Sequence, residues 1–292
     1  MPATLTPTAD PIVIVSAART PLGGFQGSLA SLTAPQLGAQ AIAAALTRSG
    51  LPPEAIDEVL MGCVLPAGLG QAPARQASLG AGLPLSTGCT TISKVCGSGM
   101  KATMLGHDLL LAGSAQAVVV GGMESMSNAP YLLPKARSGQ RLGHGQMIDH
   151  MFFDGLEDHY SAATRGRLMG TFAEDCARHY GFTREAQDAY AVTSTTRAQA
   201  AIRDGHFDWE TTPVTVAGRQ GDTVVQQDEQ PPKAQIEKIS QLKPAFAKDG
   251  SVTAANSSSI SDGAAALVLM RQSAAQAQGL TPLAVIRGHA TH

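Results

Sequence analysis

Two runs in this chain, Ile12-Val13-Ile14-Val15 and Ala117-Val118-Val119-Val120, are apolar and β-branched with no polar break. A strand with one face in water alternates apolar and polar residues, whereas a continuous run marks a strand covered on both faces. The chain must therefore build a sheet sandwiched between helices, and the pattern between the runs supplies them. Ala34 to Ser49 carries Leu37, Ala41, Ala44, Ala45 and Leu46 at helical spacing, with Gly50 as a C-terminal stop. Asp57–Val64 reads as a second strand, Gln71–Leu79 as a short helix, Cys89–Val95 as a third strand and Met100–Ala112 as a helix. The Ala117 run is a fourth strand, closed by Gly121-Gly122. Strands alternating with helices at this pace predict the α/β class, with βαβ units and a largely parallel sheet.

After about Ser127 the texture changes. Residues 128–170 are rich in Gly, Pro, Met, His and charge, with weak periodicity. Two helical stretches follow, Met169 to about Tyr180 and Arg184 to about Asp204, the second with Thr183 as N-cap. Pro213–Val225 has strand–turn–strand form around Gly218 and Gly221. Regular order returns near Ser251, with a strand at Gly263–Met270, a helix at Gln272–Gln278 and a strand at Leu283–Arg287. A structureless loop of such length is unfavourable inside a domain, so the excursion reads as a subdomain. The predicted division is a discontinuous core, residues 1–127 and 251–292, interrupted by an inserted α+β unit at 128–250.

Composition narrows the function classes. Of 292 residues 43 % are hydrophobic and only 15 % charged, which suits a large packed core. A formal net charge of −2 without a long basic run argues against nucleic acid as a partner. No apolar run reaches membrane-spanning length, so no membrane partner is expected. Met1–Pro11 holds no Lys or Arg and resembles neither a secretory nor a mitochondrial presequence, so a cytoplasmic location is expected. The four cysteines, Cys63, Cys89, Cys96 and Cys176, form no CxxC pair and no metal-ligand spacing. They read as reduced thiols, with no metal site expected; His289 and His292 in the closing tail do not suggest one either. That tail follows the start of a strand, which predicts a truncated product.

The chemistry concentrates in Ser93-Lys94-Val95-Cys96-Gly97-Ser98-Gly99-Met100-Lys101-Ala102. Cys96 ends an apolar segment, against a Gly-Ser-Gly turn that opens a helix. A thiol there meets unpaired backbone N–H groups and the positive end of the helix dipole, both of which favour thiolate. The glycines leave room for an acyl group to approach. The pattern suits covalent acyl transfer through Cys96, and the competing reading is a buried structural cysteine. Cys63 and Cys89 lie in apolar strand patterns and read as core. Cys176, beside Glu174 and Asp175, lacks a setting that favours thiolate. Asn256 stands open between a catalytic and a turn role, and Met123, Met126, Met147 and Met151 between an acyl channel and packing.

Seven segments carry a resemblance: Ser16-Ala17-Ala18-Arg19-Thr20-Pro21, Val95-Cys96-Gly97-Ser98-Gly99, Gly121-Gly122-Met123-Glu124-Ser125-Met126-Ser127, Leu168-Met169-Gly170, Lys243-Pro244-Ala245-Phe246, Val252-Thr253-Ala254-Ala255-Asn256-Ser257-Ser258 and Asp262-Gly263-Ala264-Ala265-Ala266. In type and order they resemble the N-terminal portion of the thiolases, acyl-CoA:acetyl-CoA C-acyltransferases. The resemblance implies the first of two like-folded α/β halves that pack in five layers. That half has a mixed, largely parallel sheet with helices on both faces, and an inserted loop subdomain. It implies that Cys96 is the residue acylated by acyl-CoA. Leu168, Met169, Leu242, Phe246, Ala254 and Ser258 then fall on stretches that line the pantetheine tunnel. Lys233 matches a basic residue near the adenine-ribose end of CoA, across a stretch one residue shorter than in the family. Arg165 and Arg167 lie in a segment longer than in biosynthetic thiolases and stand open between phosphate contact and a solvated loop. The implied substrates are acetyl-CoA and acyl-CoA, with no separate cofactor, and the implied full-length assembly is a homodimer or homotetramer.

The family chemistry also uses an Asn-Glu-Ala-Phe segment, a Gly-His-Pro histidine and a Cys-x-Gly-Gly-Gly cysteine, and none of these occurs in the sequence. His144 lies in Gly143-His144-Gly145, outside any such context. The expected function is condensation of two acetyl-CoA, or thiolytic cleavage of 3-oxoacyl-CoA, through an acyl-cysteine, with this chain inactive alone. The alternatives are a non-catalytic CoA-binding or interaction module and a ketosynthase-type condensing enzyme.

Overall fold

The computed structural model describes residues 10–291; most of the Met1–Pro11 stretch, and His292, lie outside them. In chain order the elements are β1 (Ile12–Arg19), β2 (Gly23–Gly24), α1 (Ala34–Ser49), β3 (Glu58–Gly62), α2 (Pro73–Gly80), β4 (Gly88–Ile92), α3 (Ser98–Ala112) and β5 (Ala117–Ser125). The excursion follows, with β6 (Tyr131–Leu132), β7 (Ile148–Asp149), α4 (Met169–Tyr180), α5 (Arg184–Arg203), β8 (Val214–Val216), β9 (Thr223–Val225) and α6 (Gln230–Lys233). The core closes with β10 (Ser261–Arg271), α7 (Gln272–Ala277) and β11 (Ala284–Val285).

Local chemistry explains the helix ends. Gln36 Oε1 accepts from the Thr33 amide at 2.8 Å to start α1, and the chain leaves it through Gly50 at φ 72°. Thr183 Oγ1 accepts from the Ala186 amide at 3.1 Å, the N-cap expected for α5. Other bounds differ from the sequence pattern. Strand β5 runs on through Gly121 and Gly122 to Ser125, because those glycines pair with β3 on one side and β10 on the other. Strand β4 stops at Ile92, three residues short, where the chain must turn into α3.

The central sheet has the order β11-β1-β10-β5-β3-β4, with β2 added to β10. Strands β5, β3 and β4 pair in parallel, while β10 is antiparallel to both β1 and β5. The first five strands thus run one way and β10 and β11 the other, giving a mixed sheet in which most strands share a direction. Side chains alternate between two cores. Ala117 and Val119 face the cluster formed with α1, α2 and α7, including Leu37, Ile42 and Ala77. Val118 and Val120 face the other, with Ala102 and Leu110 of α3. The apolar runs are continuous because both faces are covered.

Between β5 and β10 the whole excursion leaves and returns at one sheet end, since Ser125 and Asp262 are register partners. Asp262 seals the junction by accepting from the Ser127 amide at 2.9 Å and its hydroxyl at 2.6 Å. Arginines then dock the excursion on the core. Arg19, at the end of β1, binds Asp228 with two N–H groups at 2.7 and 3.1 Å and Glu210 at 2.6 Å, and its guanidinium lies 5.2 Å from the Phe207 ring centre. Arg48 donates to the carbonyls of Ala17, Glu210 and Thr211 at 2.8–2.9 Å. Glu229 accepts from the amides of Gly24 and Ser28 and from the Ser28 hydroxyl at 2.9–3.0 Å.

Replacing Arg19 by Ala leaves two half-buried carboxylates without their cation, and denaturant melts should show a loss of about 2–3 kcal/mol. Arg19→Lys should recover only part of it, because an ammonium cannot make the two-point contact with Asp228. Glu229 should reveal itself by pH. Lys233 and the Ser28 and Gly24 amides outweigh burial and hold its carboxyl at about 2, below the ordinary 4.5. Its stabilisation is complete above pH 4.5 and lost as pH falls toward about 2. The gap in Tm between wild type and Glu229→Gln should accordingly be widest at neutral pH and close on acidification.

Candidate active site

Strand β4 ends at Ile92, and Cys96 occupies the turn that leads from it into α3. The turn is tight. Val95 sits at φ 46°, a region that costs a β-branched residue about 1–2 kcal/mol. Gly97 and Ser98 donate their amides to Lys94 O and Val95 O at 3.1 Å. The Ser98 hydroxyl clamps the same loop, accepting from the Lys94 amide at 2.8 Å and donating to Val95 O at 2.6 Å. Helix α3 can start here because β3 ends in Gly62. A side chain at that position would come within 2.7 Å of the Gly99 nitrogen and the Ser98 carbonyl carbon. The result is a cysteine exposed at a helix start, on a backbone held in a strained form.

The other thiols differ. Cys63 is buried, and burial together with Glu124 pushes its thiol up to about 12. Its Sγ lies 3.6 Å from Glu124 Oε1, and that carboxylate accepts from the Val64 and Leu65 amides at 2.8 and 3.1 Å. Burial raises the Glu124 carboxyl despite those amides. Cys89 is half-buried on β4, and Cys176 is exposed on α4 beside Asp175.

A cavity of about 610 Å³ opens on the excursion, within the range of small-molecule sites. Its walls are Ser194, Thr195 and Ala198 of α5, Asp228 and residues of the segment from Gln230 through Lys238 to Leu242, Ala254, Ala255, Ser257, Ser259 and Ser261, and Leu22 from the core. Buried polar groups hold these walls. Arg184 bonds Asp188 at 2.7 Å and reaches the Leu242 carbonyl at 2.7 Å. Asp188 also accepts from Asn256 Nδ2 at 3.2 Å, and Asn256 Oδ1 accepts from the Thr253 amide at 2.7 Å. Asn256 thus has a turn-forming role. Glu174 of α4 accepts from the Ser251 and Val252 amides at 2.9–3.0 Å and anchors the same loop.

Of the residues singled out from sequence, Leu242 and Ala254 line this cavity. Leu168 and Met169 lead into α4, where Phe246 packs so closely on Gly170 that a Cβ there would meet its ring at 2.4 Å. Those residues form a second group, while exposed Ser258 lies between cavity residues Ser257 and Ser259. Lys233 is spent on Glu229, 2.5 Å away, and stands outside the lining; Lys238 is the cation that lines the cavity. Arg167 is likewise engaged, 2.5 Å from Asp175 and with its guanidinium 4.2 Å from the Phe172 ring centre. Sequence reasoning missed Lys238, Ser98 and the Arg184–Asp188–Asn256 bracket. For Ser98 the signal was present, a hydroxyl at the first position of a helix; Lys238 carries no local mark.

The site thus pairs an exposed cysteine on a strained turn at the head of α3 with a separate ligand-sized cavity. The family model described as "Thiolase, N-terminal domain" matches residues 12–273. The acetyl-CoA acetyltransferase of Cupriavidus necator is 51 % identical over 281 residues, spanning 96 % of this chain and 70 % of that protein. The acetyl-CoA acetyltransferase of Escherichia coli is 52 % identical over 281 residues, with the same shares. The structure of acetyl-CoA acetyltransferase from Syntrophomonas wolfei superposes with a TM-score of 0.88 at 42 % identity, covering 94 % of this chain and 68 % of that one. The chain belongs to the thiolase family.

The clamp and the strain should separate in mutants. Ser98→Ala removes two hydrogen bonds and should cost about 1–2 kcal/mol in denaturant melts. Val95→Gly relieves the unfavourable φ at an entropic cost, and should leave stability unchanged or raise it by up to about 1 kcal/mol. A loss of more than that in Val95→Gly would show that the side chain, and not the backbone, matters at this position.

Proposed function

We propose that the chain is the nucleophile-bearing portion of an acetyl-CoA acetyltransferase, with a discontinuous core at 1–127 and 251–292 and a CoA-binding unit at 128–250. The observation that carries this reading is the exposed Cys96 on its clamped turn at the head of α3. The Cys96 thiolate attacks the carbonyl carbon of an acyl-CoA thioester. A new carbon–sulfur bond forms to Cys96, the bond to CoA sulfur breaks, and CoA leaves as a thiol after taking a proton. The Cys96 amide is a candidate donor to the oxyanion formed on the way. In the complete reaction a second acetyl-CoA loses a methyl proton and its carbanion attacks the acyl-enzyme; the reverse is thiolytic cleavage of 3-oxoacyl-CoA.

The excursion's cavity is the proposed seat for CoA, with Leu242 and Ala254 as apolar contacts and Lys238 as its cation. Leu168, Met169, Phe246 and Ser258 are proposed for the pantetheine path, with Lys233 less favoured because Glu229 neutralises it. CoA thioesters are the only small molecules this chemistry requires. Among the described residues no helix is long and apolar enough to cross a membrane. A cytoplasmic location and a dimeric or tetrameric full-length assembly complete the proposal.

Incubation of the 292-residue chain with acetyl-CoA should add one acetyl group at Cys96 by peptide mapping, and Cys96→Ser should abolish it. Lys238→Gln should weaken CoA binding in calorimetry while leaving alkylation of Cys96 unchanged. Steady acetoacetyl-CoA cleavage should be absent, since a general acid–base residue contributes about 10²–10⁴-fold and the sequence offers no matching histidine. CoA binding without acylation would instead favour a non-catalytic binding module. Modification of another cysteine would overturn the assignment.

A further inference from the structure

Residues far apart in the chain meet at α3. His107 and Asp108 lie in its second half, and His289 lies in the tail beyond β11. One oxygen, Asp108 Oδ1, stands 3.0 Å from His107 Nδ1 and 3.0 Å from His289 Nε2. The three ligand atoms all fall within 4.8 Å of one another, with the rings edge to face at 5.0 Å. We propose that His107, Asp108 and His289 form a binding site for a divalent transition-metal ion of the Zn²⁺ or Co²⁺ type, which staples the tail to α3.

Adjacent residues on a helix point about 100° apart and do not usually share an ion. Here His107 turns its nearer nitrogen, Nδ1, toward the Asp108 carboxylate, and the tail brings the second imidazole to the same oxygen. Around a tetrahedral ion with bonds of about 2.0–2.2 Å, ligand atoms stand roughly 3.3–3.6 Å apart, so small side-chain adjustments suffice. Two imidazoles and one carboxylate favour zinc-like ions over Mg²⁺ or Ca²⁺, which prefer all-oxygen sites. Among the described residues the ion-pair partners of Asp108 are these two histidines, so no Lys or Arg competes for its charge.

The exchange balances without electron transfer. Each neutral imidazole moves its proton to the ring nitrogen facing away, and the freed lone pairs and the carboxylate bind the ion. Asp108 is half exposed and His289 partly so, which leaves room for water as a fourth ligand. Sequence spacing gave no hint, because Asp108 and His289 are 181 positions apart. That separation also gives the ion a mechanical effect, since a clip across a long loop restricts the unfolded chain strongly.

The test titrates Zn²⁺ and Co²⁺ by calorimetry into the tag-free 292-residue chain and into His289→Ala, His107→Ala and Asp108→Asn. Thermal melts are run with and without metal. One ion per chain should bind to wild type, each variant should weaken binding at least about tenfold, and the metal should raise Tm only where all three ligands are present. Because His289 lies in an exposed tail, His289→Ala should keep the fold and remain a clean comparison. Equal uptake by wild type and His289→Ala, or no uptake at millimolar metal, would overturn the proposal. So would uptake abolished by Cys96→Ser or Cys176→Ser and indifferent to His289, which would place the ion on an exposed thiol.

Discussion

Arg19 is the contact on which the geometry of this molecule turns. The exposed cysteine belongs to the sheet core, while the ligand-sized cavity is walled mostly by the excursion with Leu22 and Ser261 of the core beside it, so any chemistry that uses both depends on how the two are docked. Arg19 joins them through side chain and backbone together. Its guanidinium takes the carboxylates of Glu210 and Asp228, while its amide donates to Glu210 O and its carbonyl accepts from Thr212. Asp228 also accepts from the Leu22 amide at 2.9 Å, and its neighbour Glu229 holds Gly24 and Ser28. Val214 adds apolar burial on the same side. Two-point bonds fix direction as well as distance, which an apolar contact alone does not.

Within the core, the site is made by a difference in how closely strands and helix approach. Gly62 lets the first turn of α3 descend onto the end of β3, and the turn that leads into α3 holds Val95 in an unfavourable conformation with Cys96 exposed. Cys63, on the same strand end, is buried against Glu124 and kept protonated. Two cysteines near one sheet end thus receive opposite environments, one exposed and one inert, from the same packing. Free thiols acquire reactivity from setting and not from identity.

Much of this was legible in the sequence. The unbroken β-branched runs stated a doubly covered sheet, the caps at Gly50 and Thr183 placed helix ends, and the Cys-Gly-Ser-Gly turn located the exposed thiol. The antiparallel insertion of β10 was not legible, because a strand's direction depends on where a distant chain segment returns, and alternation along one strand is blind to it. Nor was the pairing of Lys233 with Glu229, which follows only once Gln230–Lys233 is known to coil into a helical turn. Lys238, exposed on a 3₁₀ stretch, gains its position from the cavity wall that Arg184 holds. The cluster at His107, Asp108 and His289 depends wholly on tertiary contact.

The register of β5 with β10 has a consequence for how the chain reaches this state. Ser127 and Asp262 bond across a sequence separation of 135, and β10 is the strand that links β1 to β5 in the sheet. Half the sheet therefore cannot close until the excursion has brought its two ends together, and the entropy of that closure must be met before any pairing rewards it. Chains dominated by such distant pairings fold slowly and spend longer with strand edges unpaired. Conversely, the ends are so close in the native sheet that a short turn in place of the excursion would convert β5 and β10 into an ordinary hairpin. The cavity-bearing unit is, in kinetic terms, a long detour inserted into what would otherwise be a fast local step.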